Sequence, residues 1–352
     1  MKYLVIERKH NITITGGQAI NNRLYHDIEI NGHQVDYSTA IASYSSNLGF
    51  LFSNLRNIRK YHSYDRILID SSTFPKTVWF VLLFRILYGR KGLTTTLHHF
   101  IYENLSGLKK TVYQLLELLF VKQCEEIIVF SPYVLDCCKQ YVTPDRITYI
   151  GLPFEKNIMP SKAKRQGGLL FVGTIEPRKG LVFLIEALHT IDITLLTNIE
   201  VSIIGKVMDN RYYITLQKLL QQYHLEKNIY FRGRVSSEEL AHYYETSTIF
   251  TFPSLLEGFG MVLIEAMGHG LPVVAFNNSA MPYTVKDGDN GLLVTNKDSE
   301  AFGKAIERLL TDKILYKKLS NGATATYENA RSFDDFDNDV VNMISKHSKN
   351  IN

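Results

Sequence analysis

The chain of 352 residues holds only three cysteines, Cys124, Cys137 and Cys138. That is too few for a disulfide framework, and the adjacent pair has neither zinc-ligand nor Cys-x-x-Cys spacing, so a cytoplasmic, reducing setting is expected. Long hydrophobic runs are also missing. The most apolar stretch, TVWFVLLF at 77–84, stops at Arg85, well short of the ~20 residues a membrane span needs, and no transmembrane helix is predicted. The opening MKYLVIE breaks its apolar run at Glu7 without a small-residue cleavage site, so it reads as a first strand and not as a secretory signal. No charge sign dominates: 39 Lys and Arg face 35 Asp and Glu, a net +4, too mild to imply a nucleic-acid partner. No repeat or biased segment is present, and 45% hydrophobic and 12% aromatic residues exclude disordered and fibrous classes.

What is present is size, alternation and an uneven spread of charge. The length suggests two domains. Residues 1–160 carry 18 basic against 13 acidic side chains, and the remainder 21 against 22, so the positive excess lies in the first half. β-branched runs alternate with segments of 3.6-residue period throughout, the pattern of parallel sheets with helices on both faces. In the first half, strands are expected at 2–6, 66–70, 93–97, 126–130 and 146–150, with helices near 75–88, 103–123 and 132–141. The stretch GLPFEKNIMPSKAKRQGG at 151–168 interrupts the period as a linker does. The alternation then restarts, with strands near 169–172, 200–204, 228–232, 248–252, 272–275 and 291–294 and helices near 179–190, 210–224, 237–245, 258–268 and 298–310. The expected organisation is α/β, with two doubly wound Rossmann-like domains facing across a cleft, 1–155 and 165–330, and a carboxy-terminal helix at about 333–350 returning to the first. Ligands of such sheets bind beyond the carboxyl ends of the strands.

Two segments carry chemistry. After the first strand of the second domain stands Gly173-Thr174-Ile175-Glu176-Pro177-Arg178-Lys179-Gly180, leading into a helix. A glycine turn followed by two cations beside a helix N-terminus suits a phosphate, a pyrophosphate above all. The same residues could merely shape a turn with solvated cations. Further on runs PSLLEGFGMVLIEAMGHGLPVV, 253–274, with Glu257 at a helix mouth and Glu265 expected two turns along an apolar face. Eight residues of helix rise would separate the two by about 12 Å, so one nucleotide-sugar ligand could touch both. A lone pair of glutamates at this spacing is common, and the surrounding residues make the segment specific.

These segments, with NIYFRGRVSSEELAHYY and DGDNGLLV between and after them, resemble in order the retaining GT-B glycosyltransferases of class four (glycosyl transferases group 1). The resemblance covers about 168–330 and loosens in the first half, where it rests on Thr15-Gly16-Gly17, Thr96-Leu97-His98 and Ser131-Pro132-Tyr133. It implies a hexosyltransferase using a nucleotide-diphosphate sugar, with Glu257 and His98 as catalytic residues. The donor would be bound by Gly173, Arg178, Lys179, Phe259, Gly260, Met261, Glu265, Gly16 and Gly17. His98, beside His99, could equally be a capped or solvated strand-end histidine. The chain departs from the family at Thr174, where many members carry Arg, and at Tyr283, where an acidic residue is usual.

A retaining transfer needs the leaving diphosphate held and its charge shared, which cations and a helix end do without a metal. No metal or other cofactor is expected, and the acid run Asp335-Phe336-Asp337-Asn338-Asp339 behind Ser332 reads as an N-capped first helical turn. The segment FPKTVWFVLLFRILYGRKG, 74–92, sets Trp79, Phe80, Leu83 and Phe84 among Lys76, Arg85, Arg90 and Lys91. It is either a core helix with snorkelling ends or, with Lys109 and Lys110, a surface resting on anionic lipid at the inner face of the cell membrane. The implied partners are the donor sugar nucleotide and a glycan or polyprenyl-linked acceptor, with bacterial surface polysaccharide as product. A catalytically silent nucleotide-sugar-binding scaffold and a transferase to a small soluble acceptor are the alternatives. A dinucleotide oxidoreductase is disfavoured because no Gly-x-Gly-x-x-Gly follows strand one.

Overall fold

The computed structural model describes residues 1–7, 16–38, 57–90, 92–158, 168–197 and 199–349. The chain divides into two compact units, one formed by Met1–Pro153 together with the segment from Arg331 onward, the other by Phe154–Ala330. Half of the expected linker, 159–167, and also Thr15 and Lys91, lie outside the described residues.

The first unit is built on six parallel strands, β1 (Lys2–Ile6), β2 (Gln34–Tyr37), β3 (Arg66–Asp70), β4 (Leu93–Leu97), β5 (Glu126–Val129) and β6 (Ile147–Tyr149), ordered β2-β1-β3-β4-β5-β6. Its described helices of eight residues or more before Pro153 are α1 (Gly16–Ile30), α2 (Val78–Tyr88), α3 (Gly107–Gln123) and α4 (Pro132–Lys139). Strands β1, β3, β4 and β5 are buried on both faces, hence their unbroken apolar and β-branched runs. Helix α1 and edge strand β2 escaped the sequence reading. The Gly-Gly and Asn-Asn pairs of GGQAINNRLYHDIEI are poor helix formers, yet Ile20, Leu24, Tyr25 and Ile28 fall on one buried stripe whose packing overrides that preference. Gly16 and Gly17, read as a turn, are the first residues of this helix. The segment expected as one helix from 103 is a 3-10 turn, Ile101–Asn104, followed by α3. Glu117 of α3 holds that turn, accepting the N–H groups of Ile101 and Tyr102 at 2.9 and 3.1 Å.

The second unit repeats the plan with β7 (Gly168–Val172), β8 (Val201–Ile204), β9 (Ile229–Gly233), β10 (Ser247–Phe252), β11 (Val273–Phe276) and β12 (Gly291–Val294), all parallel and ordered β12-β11-β10-β7-β8-β9. Its main helices are α5 (Leu181–Thr190), α6 (Asn210–Tyr223), α7 (Ser237–Thr246), α8 (Met261–Gly268), α9 (Ser299–Thr311) and α10 (Lys313–Glu328). Counted from its own first strand, the order is 3-2-1-4-5-6 reversed, with the switch point between β7 and β10.

The last helix, α11 (Phe333–Lys349), belongs to the first unit. Its acid run is engaged within that unit. Asp335 Oδ2 accepts from Ser332 N–H at 2.8 Å, Asp337 pairs with Arg23 at 2.7 Å, and Asp339 pairs with Arg331. At the other end, buried His347 meets Glu126 at 2.5 Å and the Tyr3 hydroxyl at 3.1 Å.

Candidate functional site

In the second unit, the loops after β7 and β10 leave adjacent strands at the switch point and are stitched together. Leu255 N–H donates to the Arg178 carbonyl at 2.8 Å, and Ser254 Oγ lies 3.2 Å from the same oxygen. Gly180 makes this approach possible. Its φ is +66°, and a Cβ there would lie 1.9 Å from the Pro253 carbonyl oxygen, so no other residue fits without moving the loop.

The stitching gathers four predicted residues. Gly173 lies against the Lys179 side chain, with its hypothetical Cβ 3.6 Å from Cε. Lys179, almost fully buried, sits over the Phe252 ring and donates to Glu257 Oε1 at 2.5 Å. Arg178 approaches the same oxygen at 3.4 Å and Glu176 at 2.9 Å. Ser254 Oγ donates to Glu257 at 2.6 Å, and Glu257 N–H donates to Ser279 Oγ at 3.0 Å. Burial alone would raise the Glu257 carboxyl, but the charges of Lys179 and Arg178, with hydrogen bonds from Lys179 and Ser254, hold it below the usual carboxylate range. The centre is therefore two cations held between two carboxylates, Lys179 and Arg178 on Glu257 and Arg178 also on Glu176, a charge-balanced cluster whose cations an entering anion could take over.

Beside it opens the N-terminus of α8, which begins three residues later than expected. Gly260 has φ +85°, a left-handed conformation that cannot be helical, and it ends the Gly-Phe-Gly turn. The first N–H groups of α8, starting at Met261, have no intrahelical acceptor and supply the positive end of the helix dipole. The Phe259 ring stacks on Phe154 at 5.7 Å, so its side chain packs and its backbone borders the loop. Because of the later start, Glu265 stands one turn into α8 and not two. It forms a second polar pair, accepting from the buried Tyr244 hydroxyl at 3.1 Å. Burial raises its carboxyl, partly offset by that bond.

In the first unit, Gly17 and His98 come together. A Cβ on Gly17 would lie 3.3 Å from the imidazole, so the glycine leaves the room the ring occupies. His98 stacks on Phe130 at 4.7 Å and its Nε2 meets Asn21 Oδ1 at 3.0 Å. Burial pushes its imidazole down to about 4 although Asp70 pulls the other way, leaving it neutral at pH 7. Burial, helped by Asp70, lifts Glu7 at the end of β1 to about 7.

The sequence reading missed Ser254, Ser279, Tyr244, Asn21, Asp70 and Glu7. Ser254 and Glu7 carried a signal, a polar residue just beyond the carboxyl end of a strand. Tyr244 carried none, because its partner lies on another helix.

Two doubly wound parallel α/β units in one chain are the architecture of the GT-B class of glycosyltransferases. Residues 155–326, just under half of the chain, match the glycosyl transferases group 1 family. It is similar to an uncharacterised 41.2 kDa protein of the cps region of Klebsiella pneumoniae, 27% identical over 72% of each chain. It is also similar to the O-antigen chain mannosyltransferase B of Escherichia coli, 33% identical over 42% of this chain and 38% of that one. The chain thus spans little more than a third of that relative. In fold it is similar to Anabaena HepE in complex with UDP-glucose, with a TM-score of 0.76, 18% identity and coverage of 98% and 100%.

Proposed function

We propose that the protein is a retaining hexosyltransferase. It moves a mannose- or glucose-type hexose from a nucleoside-diphosphate sugar to a glycan or lipid-linked acceptor in bacterial surface polysaccharide synthesis, working in the cytoplasm at the inner face of the membrane. One observation carries the reading: Lys179 and Arg178 converge on Glu257 beside the open N-terminus of α8, at the switch point of the second sheet. The names of the relatives, a capsule-region protein, an O-antigen mannosyltransferase and a protein holding UDP-glucose, support the product class and the donor.

In this reading the two cations and the first N–H groups of α8 hold the diphosphate and share its charge as the glycosidic bond breaks. Glu257 releases part of its hold on Lys179 when the donor enters and faces the sugar, where its negative charge stabilises the oxocarbenium-like centre. Phe259, Gly260 and Met261 contribute backbone N–H groups to sugar and distal phosphate, Glu265 receives the ribose hydroxyls, and neutral His98 with Gly16 and Gly17 meets the donor from the first unit. The leaving group's charge is met by protein groups alone. Thermal shift with GDP-, UDP-, dTDP- and ADP-sugars identifies the donor, and NMR of the product anomer tests retention. A product of inverted configuration overturns the mechanism, and the absence of any donor-induced shift overturns the site.

A further inference from the structure

Helices α2 and α3 follow β3 and β4, three consecutive strands β3, β4 and β5 lying side by side. Right-handed crossovers therefore place both helices on one face of the sheet, running parallel. They touch along their length: Phe74, just ahead of α2, packs on Tyr113 and Phe120 of α3 at 5.9 and 6.0 Å, and Arg85 near the end of α2 donates to Gln123 at the end of α3. The inner faces are core. Phe80 and Phe84 are buried, as the core-helix alternative for 74–92 has it.

The outer faces are apolar and uncovered. On α2, Trp79 is 53% and Ile86 78% exposed, with Leu87 beside them. On α3, Leu108, Val112, Leu115 and Leu119 recur at steps of four, three and four, one stripe over three turns, with Leu108 81% and Leu115 66% exposed. The charge of this stretch of sequence is mostly of one sign. Between Ser71 and Cys124 the chain carries Lys76, Arg85, Arg90, Lys91, Lys109, Lys110 and Lys122 against Glu103 and Glu117 alone. That net +5 equals the whole positive excess of residues 1–160. Neither acid is free to face solvent charge: Glu117 is buried on the 101–102 backbone and Glu103 accepts from the Tyr133 hydroxyl at 2.6 Å.

We infer that the α2–α3 face is a docking surface for anionic lipid, with Trp79, Ile86, Leu108 and Leu115 entering the headgroup boundary and the surrounding lysines and arginines held by lipid phosphates. An amphipathic surface with cations at its rim lies in the plane of the interface, and an anionic leaflet attracts each added cation. No described helix is long and apolar enough to cross the membrane, so the contact is superficial. A second copy of the chain is the poorer occupant, because pairing like faces would oppose the same cations with no acids between them. The inference deepens the proposed function by naming the element that holds the enzyme at the membrane, and it rests on that reading only for its purpose.

The test is co-sedimentation of the full chain with vesicles of phosphatidylglycerol and phosphatidylcholine, beside vesicles of phosphatidylcholine alone. The wild type should partition to the anionic vesicles at least tenfold better. Leu108→Ser with Leu115→Ser should lower that partition about tenfold, and Lys109→Ala with Lys110→Ala should lower it at about 0.1 M salt but little further at about 0.5 M. Both variants replace exposed side chains, and unchanged thermal unfolding and nucleotide binding would confirm intact units. Equal partition to both vesicle types, or wild-type partition by the variants, overturns the inference. So does a lipid-free dimer in sedimentation velocity that the leucine variant dissolves, since the stripe would then be a subunit contact. A chain that binds vesicles but no sugar nucleotide leaves this surface standing and removes the proposed function.

Discussion

Glu257 accepts from Lys179 and Ser254, and Arg178 stands 3.4 Å from the same oxygen, so without donor its charge is spent on positioning the two cations proposed to bind phosphate. Removing the cations has two consequences. Arg178→Ala with Lys179→Ala deletes two charge-assisted contacts of roughly 1.5–3 kcal/mol each to a bound diphosphate. It also leaves the Glu257 carboxylate buried without its partners, at a cost to stability of about 3 kcal/mol. Calorimetry should show nucleoside-diphosphate affinity reduced at least tenfold, with a lowered melting temperature; unchanged affinity would falsify the assignment. The two glutamates should differ. In the proposed reading Glu265, bonded to Tyr244, binds ribose equally in ground and transition states, so Glu265→Gln should mainly raise the donor KM. Glu257 gains importance as positive charge grows at the anomeric carbon, so Glu257→Gln should mainly lower kcat. Equal, purely KM-type losses in both variants would make Glu257 a binding group only.

Among the elements, α3 serves two masters, an exposed leucine stripe and an inner face that carries Glu117. Burial lifts the Glu117 carboxyl from 4.5 to about 7, against the pull of the Ile101 and Tyr102 N–H groups. The group is then protonated in the folded protein and ionised in the unfolded chain between those values. The folded state binds the extra proton, so this contribution to stability is present below about pH 4.5 and is lost as pH rises to about 7, by about 2–3 kcal/mol. Glu117→Gln, which cannot ionise, should flatten that slope in urea unfolding followed across pH; an unchanged slope would place the titration elsewhere. Element boundaries follow the same logic of local chemistry under tertiary control. The start of α8 was misread by three residues because the left-handed Gly260 is not visible in an apolar-periodic pattern. Helix α1 was missed because its glycines and asparagines argue against a helix that only burial of Ile20, Leu24, Tyr25 and Ile28 secures.

For the whole molecule, the positive groups proposed to meet the leaving diphosphate are all contributed by the chain. Turnover should therefore survive excess EDTA with most of its rate. Complete loss restored by manganese would return the carboxylates around α11 to consideration, although Asp335, Asp337 and Asp339 are already bonded to Ser332, Arg23 and Arg331. The same helix shows how chain order and unit differ. Its last turn is anchored by His347 on Glu126 and Tyr3, so the end of the chain completes the unit in which the chain began.

The alternation of strands and helices, the glycine turn with its two cations at 173–180 and the loop and helix that carry Glu257 and Glu265 were legible from sequence alone. Each depends on neighbours within a few residues: backbone period, a glycine turn, cations beside a helix start. What only the tertiary structure decided are the pairings between distant segments. These include Lys179 with Glu257, Tyr244 with Glu265, Gly17 against His98, and the distribution of 74–92 between core and surface. Such pairings arise when separate loops leave adjacent strands at the same edge of a sheet, or when helices pack on the same face. Sequence spacing carries no information about that adjacency, because strand order is set by burial of the whole sheet and not by the residues that meet across it.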